Sequence, residues 1–569
     1  MSSEPLRAID LQVMWDRLIA ITEEQAQVLL RTAFSSIVRE SGDLAVGVFD
    51  SRARMLAQAV TGTPGHVNSM SLTVGHVVAK YPCETMRPGD VYLTNDPWLG
   101  TGHTNDFTAV TPCFQGERLI GFVACNSHLM DVGGMPGSHG STDVFMEGLY
   151  IPILKIVDAG VVNQTLIEII RANSRLPDES EGDTYALVAC NAVGNRRLLE
   201  MMVEFGLTDL EGLANHIINT SRDALRSAIA ELPSGTWRHS LTMDGFGEPI
   251  HLAAALTISD GRISVDFEGS SPMVSHNINV PLCYTSAYTS FGIRCVVGKN
   301  IPNNAGSLEP ISVNAPVGTI LNAQSPAAVV SRHLVGLLLP DLVFGCLREP
   351  AKGRVPAEGA SGLWVLSTSG VWPSAGAPSR KFRASVVNTG GMGALPSVDG
   401  LSATGFPSGI MGGSIEMFET QCPLIVWKKE FRADSGGAGR NRGGLGLAIE
   451  VGNSIDMPFT LRTVFERIDN PARGVNGGLD GAPGEVLLSS GQALSGKGLH
   501  QVPAGQRVSL LTPGGAGYDL PTERSRDAVQ RDLESGLISP QAAREVYGWG
   551  PPSILEQCKA TQKSSLAIQ

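Results

Sequence analysis

A chain of 569 residues, 42% hydrophobic and 17% charged, exceeds what one hydrophobic core holds together and predicts two to four domains. A formal net charge of -12, with no block of Lys and Arg, excludes a generic binder of the nucleic-acid backbone. The N-terminus "MSSEPLRAIDLQVMWDRL" has no apolar core, and no apolar run reaches about 18 residues, so neither export nor membrane spanning is expected.

Residues 11–40 carry Val13, Leu18, Ile19, Leu29 and Leu30 at helical spacing and predict one or two helices. "GDLAVGVFDSRARMLAQAV" then reads as strands about a turn at "DSRA". His66, in "GTPGHVNSM", follows a Gly/Pro turn. Residues 95–134 read as a glycine-punctuated β region whose runs "FTAVTPCF" and "LIGFVACNSH" are joined by a turn at "GER", residues 116–118. From about 160 to 232 helical periodicity returns, and "LPSGTW" at 232–237 marks a boundary.

Alternating strands follow, with "DGR" as a hairpin turn, and helix-compatible segments lie between 280 and 350. Residues 355–480 read as glycine-rich and irregular, strands dominate to about 520, and "ERSRDAVQRDLESGLISPQAAREVYG" closes as helix, turn and helix. The expected class is α+β and multidomain: a helical N-terminal part carrying a metal-site hairpin, a β-rich and glycine-rich part, and a short C-terminal helical segment. The expected divisions are 1–235, 236–520 and 521–569. Nine cysteines without a CxxC pair, several in apolar runs such as "GFVACN" and "LVFGCL", predict reduced buried thiols and a cytoplasmic address.

Asp96, His103, Asp106, His128, Asp131 and His139 crowd into one apolar stretch. His103 and Asp106 stand three apart directly before a strand, and His128 ends the next. A hairpin centred on residues 115–117 sets position 103 roughly opposite 129, so the 103–106 loop and His128 meet at one end. Two imidazoles and a carboxylate at a strand end form a first set of ligands for a divalent metal with an open position. The alternative is a polar loop whose histidines bond backbone. Mixed nitrogen and oxygen donors suit zinc, manganese or iron(II). Asp131 and His139 read as supporting partners or a general base, or else as bystanders in a surface turn, and His66 as a further candidate or else a structural histidine.

"DSGGAGRNRGGLG" at 434–446 offers backbone amides with Arg440 and Arg442 as an anion-binding loop, or else a structural turn cluster between β layers. "GQALSGKG" at 491–498 nearly spells a phosphate loop, but Gly498 stands where Ser or Thr would hold magnesium.

The strings "NDPWLGTGHTNDFTAVTPCF", "SHLMDVGGMPGS", "EGLYIPILKI", "IPNNAGSLEPISV" and "DSGGAGRNRGGLG", in that order, resemble the hydantoinase B/oxoprolinase family over essentially the whole chain. The resemblance implies one subunit of a two-component enzyme. A hydantoinase A-type partner would use ATP and magnesium to activate a carbonyl, and this chain would carry a metal site for the second half-reaction. The implied reaction is opening of a small cyclic amide (a hydantoin, a lactam or 5-oxoproline), with ketone carboxylation of the acetone type as the alternative. A considerably longer carboxylase subunit leans against that alternative.

Family metal ligands fall on Asp43, His103, Asp106 and His128, holding zinc foremost, or manganese or iron, and Asp131 or His66 would take the proton. "ESGDLA" replaces the family's "ERRDFS"-like text, so Asp43 lacks two charged neighbours. A cytoplasmic hetero-oligomer, such as a dimer of heterodimers, is implied, with no nucleic acid and no membrane.

Overall fold

In the computed structural model, which describes residues 8–135, 140–374 and 377–550, the N-terminal apolar spacing folds as α1 (Ala8–Thr32) and the short α2 (Ser36–Arg39). Seven strands follow: β1 (Leu44–Asp50), β2 (Met55–Gln58), β3 (Val91–Thr94), β4 (Asp106–Gln115), β5 (Arg118–His128), β6 (Leu154–Asp158) and β7 (Val161–Val162). They form one antiparallel sheet in the order β2-β1-β5-β4-β3-β6-β7. Between β2 and β3 lies α3 (Pro64–Lys80), and after β7 come α4 (Gln164–Asn173), α5 (Pro177–Glu204) and α6 (Glu211–Ala230).

Helices cover both faces of this sheet. Leu44, Val46 and Val48 share cores with α1 and α5 or α6, whereas Ala45 and Phe49 pack with Val67, Met70, Val74 and Val77 of α3. Every residue of β1 is therefore buried, which is why "LAVGVFD" is apolar nearly throughout although the sheet is antiparallel. The Gly/Pro turn expected ahead of His66 proves to be the start of α3. Pro64 occupies its first turn, where a missing N–H costs nothing.

The β4–β5 hairpin forms, with a register two residues from the expected one. Its turn is Gly116–Glu117, and a bulge between Cys113 and Phe114 inserts one further residue, so Asp106 lies opposite His128.

A second sheet, β8 (Gly235–Met243), β9 (Ile250–Ser259), β10 (Arg262–Asp266) and β11 (Ile311–Asn314), runs in the order β11-β10-β9-β8 with β10 and β11 parallel. It shares one core with α7 (Leu282–Val296), α9 (His333–Gly336) and α10 (Leu339–Leu347), while the short α8 (Ala305–Leu308) lies on α6.

Residues 355–480, expected to be irregular, instead contain β12 (Leu363–Ser374), β13 (Ala377–Thr389), α11 (Ile415–Gln421), β14 (Leu424–Phe431), β15 (Leu447–Asn453) and β16 (Phe459–Val464). With β17 (Glu485–Leu488), β18 (Lys497–Val502) and β19 (Arg507–Leu511) they make sheets ordered β13-β12-β16-β18 and β14-β15-β19-β17. The two sheets enclose one core in which Trp364 stacks on Phe465 at 4.2 Å between ring centroids. Gly370, which disguised β12, lies directly opposite Phe382 and leaves room for its ring.

The C-terminal α12 (Arg526–Glu534) and α13 (Pro540–Glu545) close on Ala438. The architecture is thus α+β and multidomain. Among the described residues no helix is long and apolar enough to cross a membrane, and Cys113, Cys125, Cys190, Cys283, Cys346 and Cys422 are buried free thiols.

Glycines hold the third part together by letting backbones touch. Gly515 N–H donates to Gly444 O at 2.9 Å and Gly444 N–H to Met392 O at 2.8 Å. A Cβ at Gly443 would lie 1.9 Å from the Gly515 carbonyl oxygen, and one at Gly515 would lie 2.0 Å from that of Met392. Gly515→Ala is expected to destabilise the protein by about 3 kcal/mol, since rigid backbone must move. Gly75→Ala, on the exposed side of α3 with nothing within 4 Å, is expected to stabilise it by about 0.5–1 kcal/mol. Denaturant midpoints of the two variants check the contrast.

Candidate metal centre

Antiparallel pairing brings the cluster together. Asp106 begins β4, His128 ends β5, and the two are direct partners. Asp43 immediately precedes β1, the other neighbour of β5, and its carbonyl accepts the His128 N–H at 3.2 Å. His103 arrives on the loop before β4, and His66 on the first turn of α3.

Asp106 lies at the centre. Its Oδ1 is 2.6 Å from His103 Nε2 and 3.0 Å from His128 Nδ1, and its Oδ2 is 2.9 Å from His66 Nε2. Asp43 Oδ1 lies 3.2 Å from His66 Nδ1, and its Oδ2 lies 3.9 Å from His128 Nδ1. One ligand atom from each of His103, Asp106 and His128 falls within 4.8 Å of the others. Asp106 is wholly buried and only His128 is appreciably exposed, with 23% of its side chain accessible.

Orientation bears on metal binding. His103 Nδ1 lies 3.2 Å from Val330 O, an acceptor, so Nδ1 carries the proton and Nε2 presents a lone pair to Asp106. Among the described residues His103 Nε2, His66 Nδ1 and Asp43 Oδ1 are buried without a hydrogen bond, their close contacts lying off the hydrogen-bonding direction. Three such orphaned atoms in one cluster are costly unless a cation accepts lone pairs there. The donor set of imidazole nitrogens and carboxylate oxygens fits a zinc, manganese or iron(II) ion.

Arg332 enters the cluster from residues far along the chain. Its Nη2 donates to Asp106 Oδ2 at 2.8 Å and its Nε to Thr101 O at 2.6 Å, while the guanidinium stacks 4.3 Å over the Tyr284 ring. Gly102 makes this approach possible, since a Cβ there would lie 2.8 Å from Arg332 Cδ. Burial opposes ionisation of Asp106, but the cationic groups around it, His66 and Arg332 among them, outweigh it and hold the carboxyl well below the usual range. Burial and then Arg332 push the His103 imidazole down to about 3, so it stays neutral. For His66 burial is outweighed by Asp106 and Asp43, and its pKa rises.

Glu147 braces His103 indirectly. Its Oε1 accepts the N–H groups of Val329 at 2.9 Å and Val330 at 3.0 Å, fixing the segment whose Val330 carbonyl orients His103. Neither Arg332 nor Glu147 was legible in the sequence, because the contacts they make span 226 and 182 residues.

Other expected site residues are placed elsewhere. The Asp131 carboxylate is engaged by the Arg175 side chain and backbone N–H and by Gly133 N–H at 3.3 Å, so its lone pairs serve a turn. Asp96 accepts from Trp98 N–H at 2.9 Å and from the Tyr150 hydroxyl. His139 lies outside the described residues.

Of the two readings of residues 434–446, the contacts of Arg440 and Arg442 fit the turn cluster. Arg440 pairs with Asp519 at 2.6 Å, and buried Arg442 donates to Gly443 O at 2.7 Å and contacts Asp532 at 3.3 Å. The amides of Gly437, Gly443 and Gly444 are used within the glycine layers, so the segment ties β layers together.

Burial raises Glu147 from its ordinary 4.5 to about 7. Because its folded-state pKa lies above the unfolded one, stability is fullest below about pH 4.5 and falls as pH rises to about 7. Glu147→Gln is expected to remove about 3 kcal/mol of that decline across the window, read from denaturant midpoints at several pH values. Parallel curves for the two proteins would contradict this.

A family model described as Hydantoinase B/oxoprolinase matches residues 7–521. The chain is 30% identical over 549 residues to an uncharacterized protein of Methanocaldococcus jannaschii, covering 95% of each. It is 28% identical to the putative D-/L-hydantoinase B-type subunit of a Pseudomonas species, covering 95% of this chain and 94% of that one. Among solved structures it resembles the ATP-dependent caprolactamase from Pseudomonas jessenii, with a TM-score of 0.84, 25% identity and 97% of each chain covered.

Proposed function

The chain belongs to the hydantoinase B/oxoprolinase family, and on that premise we propose that it is the metal-dependent subunit of an ATP-dependent pair of proteins that opens a small cyclic amide. The ring would be a hydantoin, a lactam or an oxoproline-like amide. The observation that carries this reading is the convergence of Asp43, His66, His103, Asp106 and His128 at the common end of β1, β5 and β4, with three buried donor atoms lacking hydrogen bonds.

A ring amide resists hydrolysis because its carbonyl is a poor electrophile and its nitrogen a poor leaving group. A hydantoinase A-type partner, with ATP and magnesium, would transfer a phosphoryl group to the carbonyl oxygen and so activate the carbon. Ring opening would follow on this chain.

His103, Asp106 and His128 would hold the divalent cation, zinc foremost, with Asp43 completing the set. When bound, the cation supplies Lewis acidity that makes water nucleophilic at neutral pH. Hydrogen bonding to Val330 keeps the His103 Nε2 lone pair directed inwards. Arg332 keeps Asp106 ionised, so that carboxylate accepts only. His66, set between two carboxylates, holds a proton at Nε2 facing Asp106 and is the residue placed to exchange it. The Asp131 carboxylate, tied to Arg175, is not assigned this role. His128 is the accessible member of the cluster, with 23% of its side chain exposed.

His103→Ala or His128→Ala is expected to strip the metal and lower ring opening by at least about 100-fold, with circular dichroism unchanged. Elemental analysis and an assay with partner and ATP across hydantoins, lactams and ketones read both effects. Full activity without metal would contradict the proposal, and ATP turnover that needs a ketone and bicarbonate would favour the carboxylase alternative.

A further inference from the structure

A cleft of about 690 Å³ lies against the backbone segment that leads into His66, and its Met411 wall is bonded to the segment that carries Asp43. Its lining includes Pro64, Phe291, Leu401, Phe406, Ile410 and Met411, and none of the residues lining it carries a charge. We propose that this cleft receives the hydrocarbon part of the substrate and selects uncharged, apolar cyclic amides over rings bearing a carboxylate. The inference rests on the ring-opening reading and names its substrate class.

Contiguity with the metal cluster is direct along the chain. Pro64 lines the cleft, Gly65 abuts Tyr288 and Tyr284, and His66 stands in the cluster. A Cβ at Gly65 would lie 2.3 Å from the Tyr288 ring, and Tyr284 lies beneath Arg332, which binds Asp106. The aromatic row continues outward: Tyr288 meets Phe291 at 6.4 Å, and Phe291 meets Phe406 at 6.0 Å, between centroids. On the opposite wall Met411 N–H donates to Ser41 O at 3.0 Å, two residues before Asp43, and Gly409 packs against Gly62. The 401–412 loop is thus pinned to both ligand-bearing segments.

The chemistry of the walls then decides what fits. The volume lies in the ordinary range for small-ligand sites, roughly 300–1,000 Å³. A carboxylate settling against such walls would surrender its hydration with no countercharge in return, whereas a phenyl or alkyl group would lose only unfavourable contact with water. Leu401 and Met411 stand 61% and 53% exposed at the rim, apolar surface that such a group would cover.

The test uses the full metal-loaded chain with partner and ATP, comparing kcat/KM for 5-phenylhydantoin and for hydantoin-5-acetic acid, which share a ring. The expected result is at least a ten-fold preference for the phenyl compound. Leu401→Asp, at an exposed position that tolerates the change, and Ile410→Asp are both expected to shrink that preference by raising KM for the phenyl compound, with bound metal unchanged. Titration of the chain alone with 5-phenylhydantoin gives a readout independent of ring opening. Binding that weakens in both variants supports the inference even if the wild type opens no ring, in which case the hydrolytic reading alone falls. Equal rates on the two compounds, or a preference unmoved by either variant, overturns it. Loss of partner association with the preference intact also overturns it and assigns the face to the partner.

Discussion

The carboxylate of Asp106, wholly removed from solvent at the end of β4, is the constraint around which the N-terminal half is arranged. A buried anion of this kind persists only if charge and hydrogen bonds surround it. The imidazoles of His66 and His128 and the guanidinium of Arg332 do so here, from three separate places in the chain. β4 and β5 supply the anion and His128, α3 supplies His66, and the segment before α9 supplies Arg332. The second sheet and its helices therefore have a reason to pack against the first: without them Asp106 would lack its guanidinium partner.

Rigidity follows from the same arrangement. Each histidine or carboxylate in the cluster sits at the end of an element or within three residues of one, and the elements are locked by full burial of β1 and by cores on both faces of the sheet. The Glu147 carboxylate sets the Val330 carbonyl, the Val330 carbonyl sets the His103 ring, and the ring offers one nitrogen inwards. Gly102 and Gly65 serve by absence, since a methyl group at either would displace Arg332 or Tyr288. Farther on, glycine layers let residues around 391, 444 and 515 touch through backbone alone, which steadies the part of the chain bearing the 401–412 loop.

Much of this is legible in the amino-acid order alone. Period-two and helical spacing announce α1, β1, the β4–β5 hairpin, α4 to α6 and the closing helices, because each buries one or both faces in the ordinary way. The closeness of His103, Asp106 and His128 is legible too, since a hairpin forces its ends together, although the bulge at Cys113–Phe114 moves the register. The elements between 363 and 464 escape, as does α3, and for two of them the reason is visible. α3 begins with Thr-Pro-Gly and carries Gly75, so propensity argues against it, and β12 hides behind Gly370, whose vacancy is filled by Phe382 from the neighbouring strand. In both cases packing across the molecule outweighs local preference.

The sequence by itself determined the class of the fold, the family resemblance and the local crossing of two strands that gathers an Asp and two His. Tertiary structure decided that Arg332 and Glu147 would serve that crossing, that Asp131, Arg440 and Arg442 would be engaged in ion pairs, and that an uncharged cleft would lie beside it. The division has one physical cause. Strand pairing and helical periodicity act between residues whose separation is set by a turn, whereas contacts across hundreds of residues depend on how whole layers pack, and no local pattern encodes that.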